Sequence, residues 1–418
     1  MKTIKIISLT FLLALLIGCS ESSATTEPEV NPKDNLPNVT GYPIVGTNQT
    51  NNYNNTSVIT EPSVGEPFYG QDAIYSSNTP NYVDNGDGTV TDMVTGLMWS
   101  QTSDMDDDGD IDASDKRTFA QAVSGASSFN LAGYDDWRLP TIKELYSLII
   151  FSGVDPSGYE GTSTEGLIPF IDTKYFDFAY GDTDAGERII DAQFATTSKY
   201  VDGELLFGVN FADGRIKGYG LSMPFGPGEK TFIVMYVRGN NSFGINALSD
   251  NGDSTISDNA TDLMWMKNDS QVGMNWEQAL AYAENLEYAG HSDWRLPNVK
   301  ELQSIVDYSK SPGTSKTAAI DPLFNSTQIT NEAGEVDFPS YWSSTTHSNW
   351  SAVAGGFAPY VSFGRAMGYM NGWVDVHGAG AQRSDPKVGD PNDYPTGHGP
   401  QGDAIRIFNF VRCVRDAF

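Results

Sequence analysis

The chain has 418 residues, 39% of them hydrophobic and 12% aromatic, and its 54 Asp and Glu against 25 Lys and Arg give a formal charge of −29. So acidic a surface repels nucleic acid and anionic lipid and discourages binding to sulfated polysaccharides. The 42 glycines and the aromatic share point to a loop-rich, β-containing globule, and the length suits two domains of ordinary size.

Lys2 and Lys5 precede an apolar run over 6–17, which leads into Leu16-Ile17-Gly18-Cys19. A basic head, a short apolar core and small residues at the cut make a secretory signal. Cysteine directly after Leu-Ile-Gly resembles the bacterial lipoprotein box. On that resemblance 1–19 form the signal and Cys19 is lipidated; a plain signal peptide is the alternative. Ser20 after the cysteine favours outer-membrane sorting by the same resemblance, with the protein periplasmic or surface-exposed. Acyl chains on one residue hold a protein stably at the bilayer, and no later run is long and apolar enough to span it. Residues 20–80 are rich in Ser, Thr, Asn, Pro and Glu, too sparse in apolar groups to offset the entropy of ordering, so a disordered tether is predicted there. With Cys19 committed to lipid, Cys413 has no partner for a disulfide.

An internal repeat divides the remainder into 81–240 and 241–418. Residues 91–101 (TDMVTGLMWSQ) match 257–267 (SDNATDLMWMK), and 132–148 (AGYDDWRLPTIKELYSL) match 289–305 (AGHSDWRLPNVKELQSI). Trp99 and Trp265 stand 166 positions apart, whereas Trp137 and Trp294 stand 157 apart, so the first copy carries nine extra residues between them. Phe119 already pairs with Trp276 at 157, which places the insertion in the aspartate run over 102–116. From Asp104 that run follows the twelve-position calcium loop. Asp104, Asp106 and Asp108 take positions 1, 3 and 5, Gly109 the sharp turn at 6, Asp110 the carbonyl position at 7, and Asp115 closes at 12. Alternate aspartates on a tight loop aim their oxygens inward at a hard cation. The prediction is a structural Ca²⁺ site of the weak extracellular type, roughly 10⁻⁴ to 10⁻³ M; a solvated acidic loop is the alternative. The acidic runs 84–88 and 250–254 precede alternating β-formers and read as hairpin turns, because Gly and Asn tolerate positive φ.

Each copy follows one plan. A turn leads into a strand ending in Leu-Met-Trp, then an amphipathic helix near 119–128 or 276–286. A Trp-Arg-Leu-Pro element and a second helix follow, and strands close on 234–238 or 411–415. Thr141 with Glu144, and Asn298 with Glu301, have capping-box spacing, so these glutamates are expected to cap helices rather than catalyse. Trp137, Trp294, Leu139 and Leu296 are expected in the core, with Arg138 and Arg295 paired to carboxylates or carbonyls. On residues 84–99 (DNGDGTVTDMVTGLMW), 136–145, 341–345 (YWSST) and 411–415 (VRCVR), with their counterparts in the other copy, the chain resembles the Lcl C-terminal domain family, named for a Legionella collagen-like adhesin. The resemblance covers about 80–418. It implies an α+β fold of two tandem C-type-lectin-like domains, related to that of formylglycine-generating enzymes, and it implies extracellular adhesion or ligand binding. Family members often carry a helix cysteine that could pair with the one in the terminal Arg-Cys-Val-Arg. Ala283 stands near that position here, so Cys413 is expected to be a buried free thiol. The acidity argues against carrying over glycosaminoglycan binding.

Offsets locate a second insertion, in the second copy. Thr196-Thr197 aligns with Ser343-Ser344 at 147, but Tyr236 aligns with Cys413 at 177, so about thirty residues are extra, assigned to a long loop over 373–403. In lectin-like folds the late-strand loop carries ligand. Asp375, His377, Gln382, Arg383, Asp385, Asp390, Asp393 and Tyr394, with His398 beside them, are the candidate contacts for a glycan or protein ligand. A structural Ω-loop and a second metal site at Asp375 and His377 are the alternatives. Catalysis has little support: no histidine has zinc-site spacing, and a Ser343–His347–Asp375 set is of a kind that a chain this long offers by chance. The expected role is adhesion or ligand capture by a lipid-anchored protein with no enzymatic activity, or else an envelope scaffold that binds proteins without glycan specificity.

Overall fold

The computed structural model describes residues 36–223, 227–351 and 353–417. The expected signal and Cys19 lie outside the described residues. No helix among those described is long and apolar enough to cross a membrane.

The repeated Leu-Met-Trp run is a strand buried on both faces, which is why it reads as continuously apolar instead of alternating. In the first copy, Leu97–Ser100 lies between Thr89–Asp92 and Val237–Gly239, with Tyr82–Asp84 on the outer edge. In the second, Leu263–Met266 lies between Thr255–Asp258 and Val414–Asp416, with Leu248–Asp250 outside. Registers agree: Val237 faces Trp99 as Val414 faces Trp265. Leu97 and Trp99 enter one core and Met98 another. The acidic runs are the hairpin turns expected of them. Asp84 and Asp250 accept the N–H of Gly86 and Gly252 at 2.8 and 3.0 Å, and both glycines have positive φ, +72° and +78°.

The Trp-Arg-Leu-Pro element seats the second helix. Trp137, Leu139, Trp294 and Leu296 are buried, as expected. Arg138 and Arg295 each form a two-point ion pair with the capping glutamate of the helix that follows, at 2.6–2.8 Å to Glu144 and 2.6–2.7 Å to Glu301. Those glutamates complete capping boxes with Thr141 and Asn298. Helices of five and six residues, Ile142–Tyr146 and Val299–Ser304, are too short to hold alone, so these bonds and tertiary packing hold them. Cys413 is a buried free thiol.

Two findings go beyond the reading of the sequence. The first is that the two tandem copies are joined. Six strands form one sheet through both copies, in the order Ser340–Trp342, Phe357–Ser362, Gln382–Pro386, Arg215–Gly220, Leu205–Asn210, Gln193–Phe194. One strand from each copy meets antiparallel at its centre, where Gln382 faces Ile216. One hydrophobic core draws on both copies, including Trp99, Trp265, Leu145, Leu302, Phe207 and Val361, while each copy keeps a smaller core of its own. At the junction two lysines answer one another: Lys143 Nζ donates to the Ser304 carbonyl at 2.7 Å and Lys300 Nζ to the Ser147 carbonyl at 2.8 Å. Each ammonium thus caps the C-terminal end of the other copy's short helix, where carbonyl dipoles favour a cation. The body is a pseudo-two-fold pair built in one chain.

The second is a correction and concerns the tether over 20–80. From residue 36 onward it is an ordered arm, with Tyr42, Val45, Thr47, Gln49, Tyr53, Gln71 and Asp72 buried. Low hydrophobicity misleads there because the arm is held through polar groups. Gln49 Nε2 donates to the carbonyls of Phe151 and Thr346 at 3.3 and 2.7 Å, so it bridges the two copies. Asp72 accepts from the hydroxyls of Thr47 and Thr345 at 2.7 and 2.6 Å.

Candidate functional site

The aspartate run folds as a tight loop closed by its own main chain. Asp104 accepts the N–H of Asp107 and of Gly109 at 2.7 and 2.9 Å, and Gly109 turns at φ +99°. Carboxylate oxygens of Asp104, Asp106 and Asp108 converge to within 4.8 Å of one another, a spacing that fits one hard cation. Asp110 and Asp115 stand outside that cluster. Asp115 is buried and accepts from the main-chain N–H of Met105, Asp106 and Asp112 at 2.6, 3.3 and 2.9 Å, the last as part of a capping box. Three of the four predicted carboxylate ligands are therefore together; the fourth, Asp115, is engaged in holding the loop's ends, and the ligand expected of Asp110 is its main-chain carbonyl.

The segment 373–403 is not the irregular loop expected of it. It contains Trp373–Asp375, paired with Met367–Tyr369, and Gln382–Pro386, the strand that joins the two copies. Five of its candidate residues face inward. Asp375 accepts from the Tyr200 hydroxyl of the other copy at 2.7 Å and from the N–H of Ala366 and Gly378 at 3.1 and 2.9 Å. Burial lifts its carboxyl to about 6 against those bonds. His377 bonds Asp403 at 2.9 Å, and Arg383 pairs with the other Asp403 oxygen. Burial pulls the His377 imidazole down to about 4, and the Arg383 cation adds to it. Burial works against ionised Asp403, yet Arg383, His377 and Lys217 hold it well below the usual carboxylate range. Gln382 accepts from the Tyr146 hydroxyl at 3.2 Å across the junction, and Asp385 accepts the Arg406 N–H at 2.6 Å. Beyond Pro386 the chain turns outward: Asp390 caps a short 3-10 turn, and Asp393 and Tyr394 lie at the surface, with the Tyr394 and His398 rings 6.3 Å apart. Most of the insertion is a staple between copies, and 390–398 are its accessible part.

No hydrogen bond joins Ser343, His347 and Asp375. The Ser343 hydroxyl donates to the Pro359 carbonyl at 2.7 Å, while His347 stands edge-on to Phe151 and Phe170 inside the body. Burial and the nearby Arg215 bring His347 down to about 4, so it is neutral at ordinary pH. These groups cannot act as one relay in this arrangement.

Sequence reasoning missed the copy junction. Its buried cations are Lys143 and Lys300, which burial pulls to about 8 and about 7 against the pull of nearby aspartates. The signal was present, since both copies read Lys-Glu-Leu at the same place. Beside Lys143 a cleft of ≈ 620 Å³ opens between the copies, walled by the 243–248 connection, the first copy's Thr141 and Ser198, and the second copy's Val306, Tyr308 and Leu323.

No curated protein and no solved structure matches the chain. The model of the Lcl C-terminal domain matches residues 88–238 and again 254–377, more than half of the chain. The second match stops where the joining strand approaches, and both contain the Leu-Met-Trp strand, the Trp-Arg-Leu-Pro element and the Lys-Glu-Leu helix. The chain therefore belongs to the Lcl C-terminal domain family, as a tandem pair of its domains.

Proposed function

We propose that this protein is an adhesin-type binding module of the bacterial envelope, secreted and held by a lipid on Cys19, whose paired lectin-like domains capture an extracellular glycan or protein ligand. The observation that carries the reading is how the titratable groups are used. Asp375 bonds Tyr200 and Arg215 bonds Ser384 across the copies, while Arg215 is paired with Asp155, and His377 and Arg383 with Asp403, inside them. Such a body is built for a rigid surface, not for proton transfer. Calcium at Asp104, Asp106 and Asp108 acts as a brace on the first copy, outside the shared core. Exposed Asp390 and Asp393, with half-buried Tyr394, are the contacts from the second insertion that a ligand could reach.

The test is binding of the folded body, begun at residue 36, to host-cell surfaces and glycan arrays in calcium and in chelator. Saturable binding that weakens on Asp393→Ala with Tyr394→Ala supports the reading; folded protein that binds nothing in either condition overturns it. The anchor is tested apart, by radiolabelled palmitate: incorporation in the wild type and none in Cys19→Ala is expected, and an unlabelled wild type removes the lipid.

A further inference from the structure

The copies differ where the arm meets them, and the difference exposes a site. Beside the second copy's short helix the arm satisfies Thr345 and Thr346 of that copy and Phe151 of the first. The Gln49 amide brackets the main chain of Thr346, accepting from its N–H at 2.8 Å and donating to its carbonyl at 2.7 Å. The Thr47 carbonyl accepts from the Phe151 N–H at 2.7 Å. Asp72 accepts from the Thr345 hydroxyl at 2.6 Å.

The repeat offsets carry Thr346, Thr345 and Phe151 onto Lys199, Ser198 and Tyr308. The local bonding agrees: Ser198 Oγ accepts the Ile142 N–H at 3.0 Å as Thr345 Oγ1 accepts the Val299 N–H at 3.1 Å. The 243–248 connection does part of the arm's work, because Lys143 donates to the Gly244 carbonyl at 3.2 Å where Lys300 donates to that of Gly46, also at 3.2 Å. It goes no further. The Lys199 N–H, the Tyr308 N–H and the Ser198 O–H have no acceptor among the described residues. Ser198 and Tyr308 line the ≈ 620 Å³ cleft, a size suited to a small ligand or a few residues of peptide. Ser198 and Tyr308 are half-buried on the cleft wall and Lys199 is exposed beside it, so their donors are open to the carbonyl or amide oxygens of a ligand in exchange for water. Asp307 and Asp321 on the same wall disfavour an anion.

We propose that this cleft is a binding site for an extended, uncharged polar peptide of Thr/Asn/Gln character, seated as 47–49 is seated in the twin groove. The inference names a site and ligand class within the binding role proposed above. Its test is made in vitro and stands or falls apart from cell adhesion.

The probe is a synthetic peptide of sequence IVGTNQTNNY, residues 44–53 of the chain, added to the body begun at residue 36, with amide hydrogen exchange and fluorescence titration as readouts. Saturable binding is expected, with slowed exchange at Lys199 and Tyr308. Replacing the peptide's glutamine by alanine should weaken binding at least tenfold. Ile245→Trp, at an exposed position on the cleft wall, should block it at unchanged thermal midpoint, while Val374→Trp, exposed outside the cleft, should not. Absence of binding at millimolar peptide, equal binding by Ile245→Trp, or protection of these amides by oligosaccharides but not by peptide would overturn the proposal.

Discussion

The two copies share a local sequence and differ in what covers it. Arg138–Glu144 and Arg295–Glu301 are the same two-point ion pair, but the Arg138 side chain is 31% exposed and that of Arg295 only 10%. The arm makes the difference, with the Tyr75 ring 5.5 Å from the Arg295 guanidinium. The same arm fills the second copy's groove and leaves the first copy's open. A repeated motif thus sets geometry twice, while its surroundings set its energetic weight and its availability to ligand.

The sharpest way to break this comparison is to remove each arginine. Arg295→Met strands a buried carboxylate and should cost about 3–5 kcal/mol. Arg138→Met removes a guanidinium that is 31% exposed and already partly screened by water, so it should cost about 1–2 kcal/mol. Equal losses in urea unfolding would mean that the arm does not matter to the pair. Next is the arm itself: Gln49→Ala removes both bonds to Thr346 and the one to Phe151, for about 1–3 kcal/mol. It should also speed hydrogen exchange at Thr346 without changing Lys199, whose amide has no acceptor among the described residues.

The reciprocal lysines predict a pH dependence. Lys300 is drawn to about 7 and Lys143 to about 8 from an ordinary 10.5. Above those values the unfolded chain still binds protons that the folded lysines have released, so stability rises with pH; below pH 7 the cost of burying both charges is fully present. The thermal midpoint should therefore climb between pH 7 and 9, by the equivalent of about 3–4 kcal/mol. Lys300→Met should flatten the climb more than Lys143→Met, and identical slopes in all three proteins would show that these groups do not titrate as described. The smallest effect belongs to the acidic loop. Calcium at millimolar concentration should stabilise the wild type by on the order of 1 kcal/mol or less. Chelator should leave the midpoint of Asp104→Ala with Asp108→Ala unmoved, and a wild type indifferent to chelator would remove the cation.

Much of each copy was legible along the chain. The capping boxes, the hairpin turns, the core tryptophans and the lone thiol rest on contacts within a few residues or on side-chain character, and each stands in the structure as read. The arm was not legible, because composition counts apolar groups and cannot see that Gln49 and Asp72 will find partners hundreds of positions away. The 373–403 insertion was found by offset arithmetic, but its role was misjudged. Length and glycine content describe a loop equally well whether it carries ligand or, as Gln382–Pro386 does, pairs with a strand of the other copy.

The sequence by itself determined the repeat, the local fold of each copy and the loop where three carboxylates gather, because spacing and side-chain chemistry act over short range. Only the tertiary structure decided that the copies fuse through one sheet and one core, that an arm closes one groove, and that the twin groove stays open. Those outcomes depend on which long-range surfaces bury together and which main-chain donors are left without acceptors, and neither is written in any local stretch of residues.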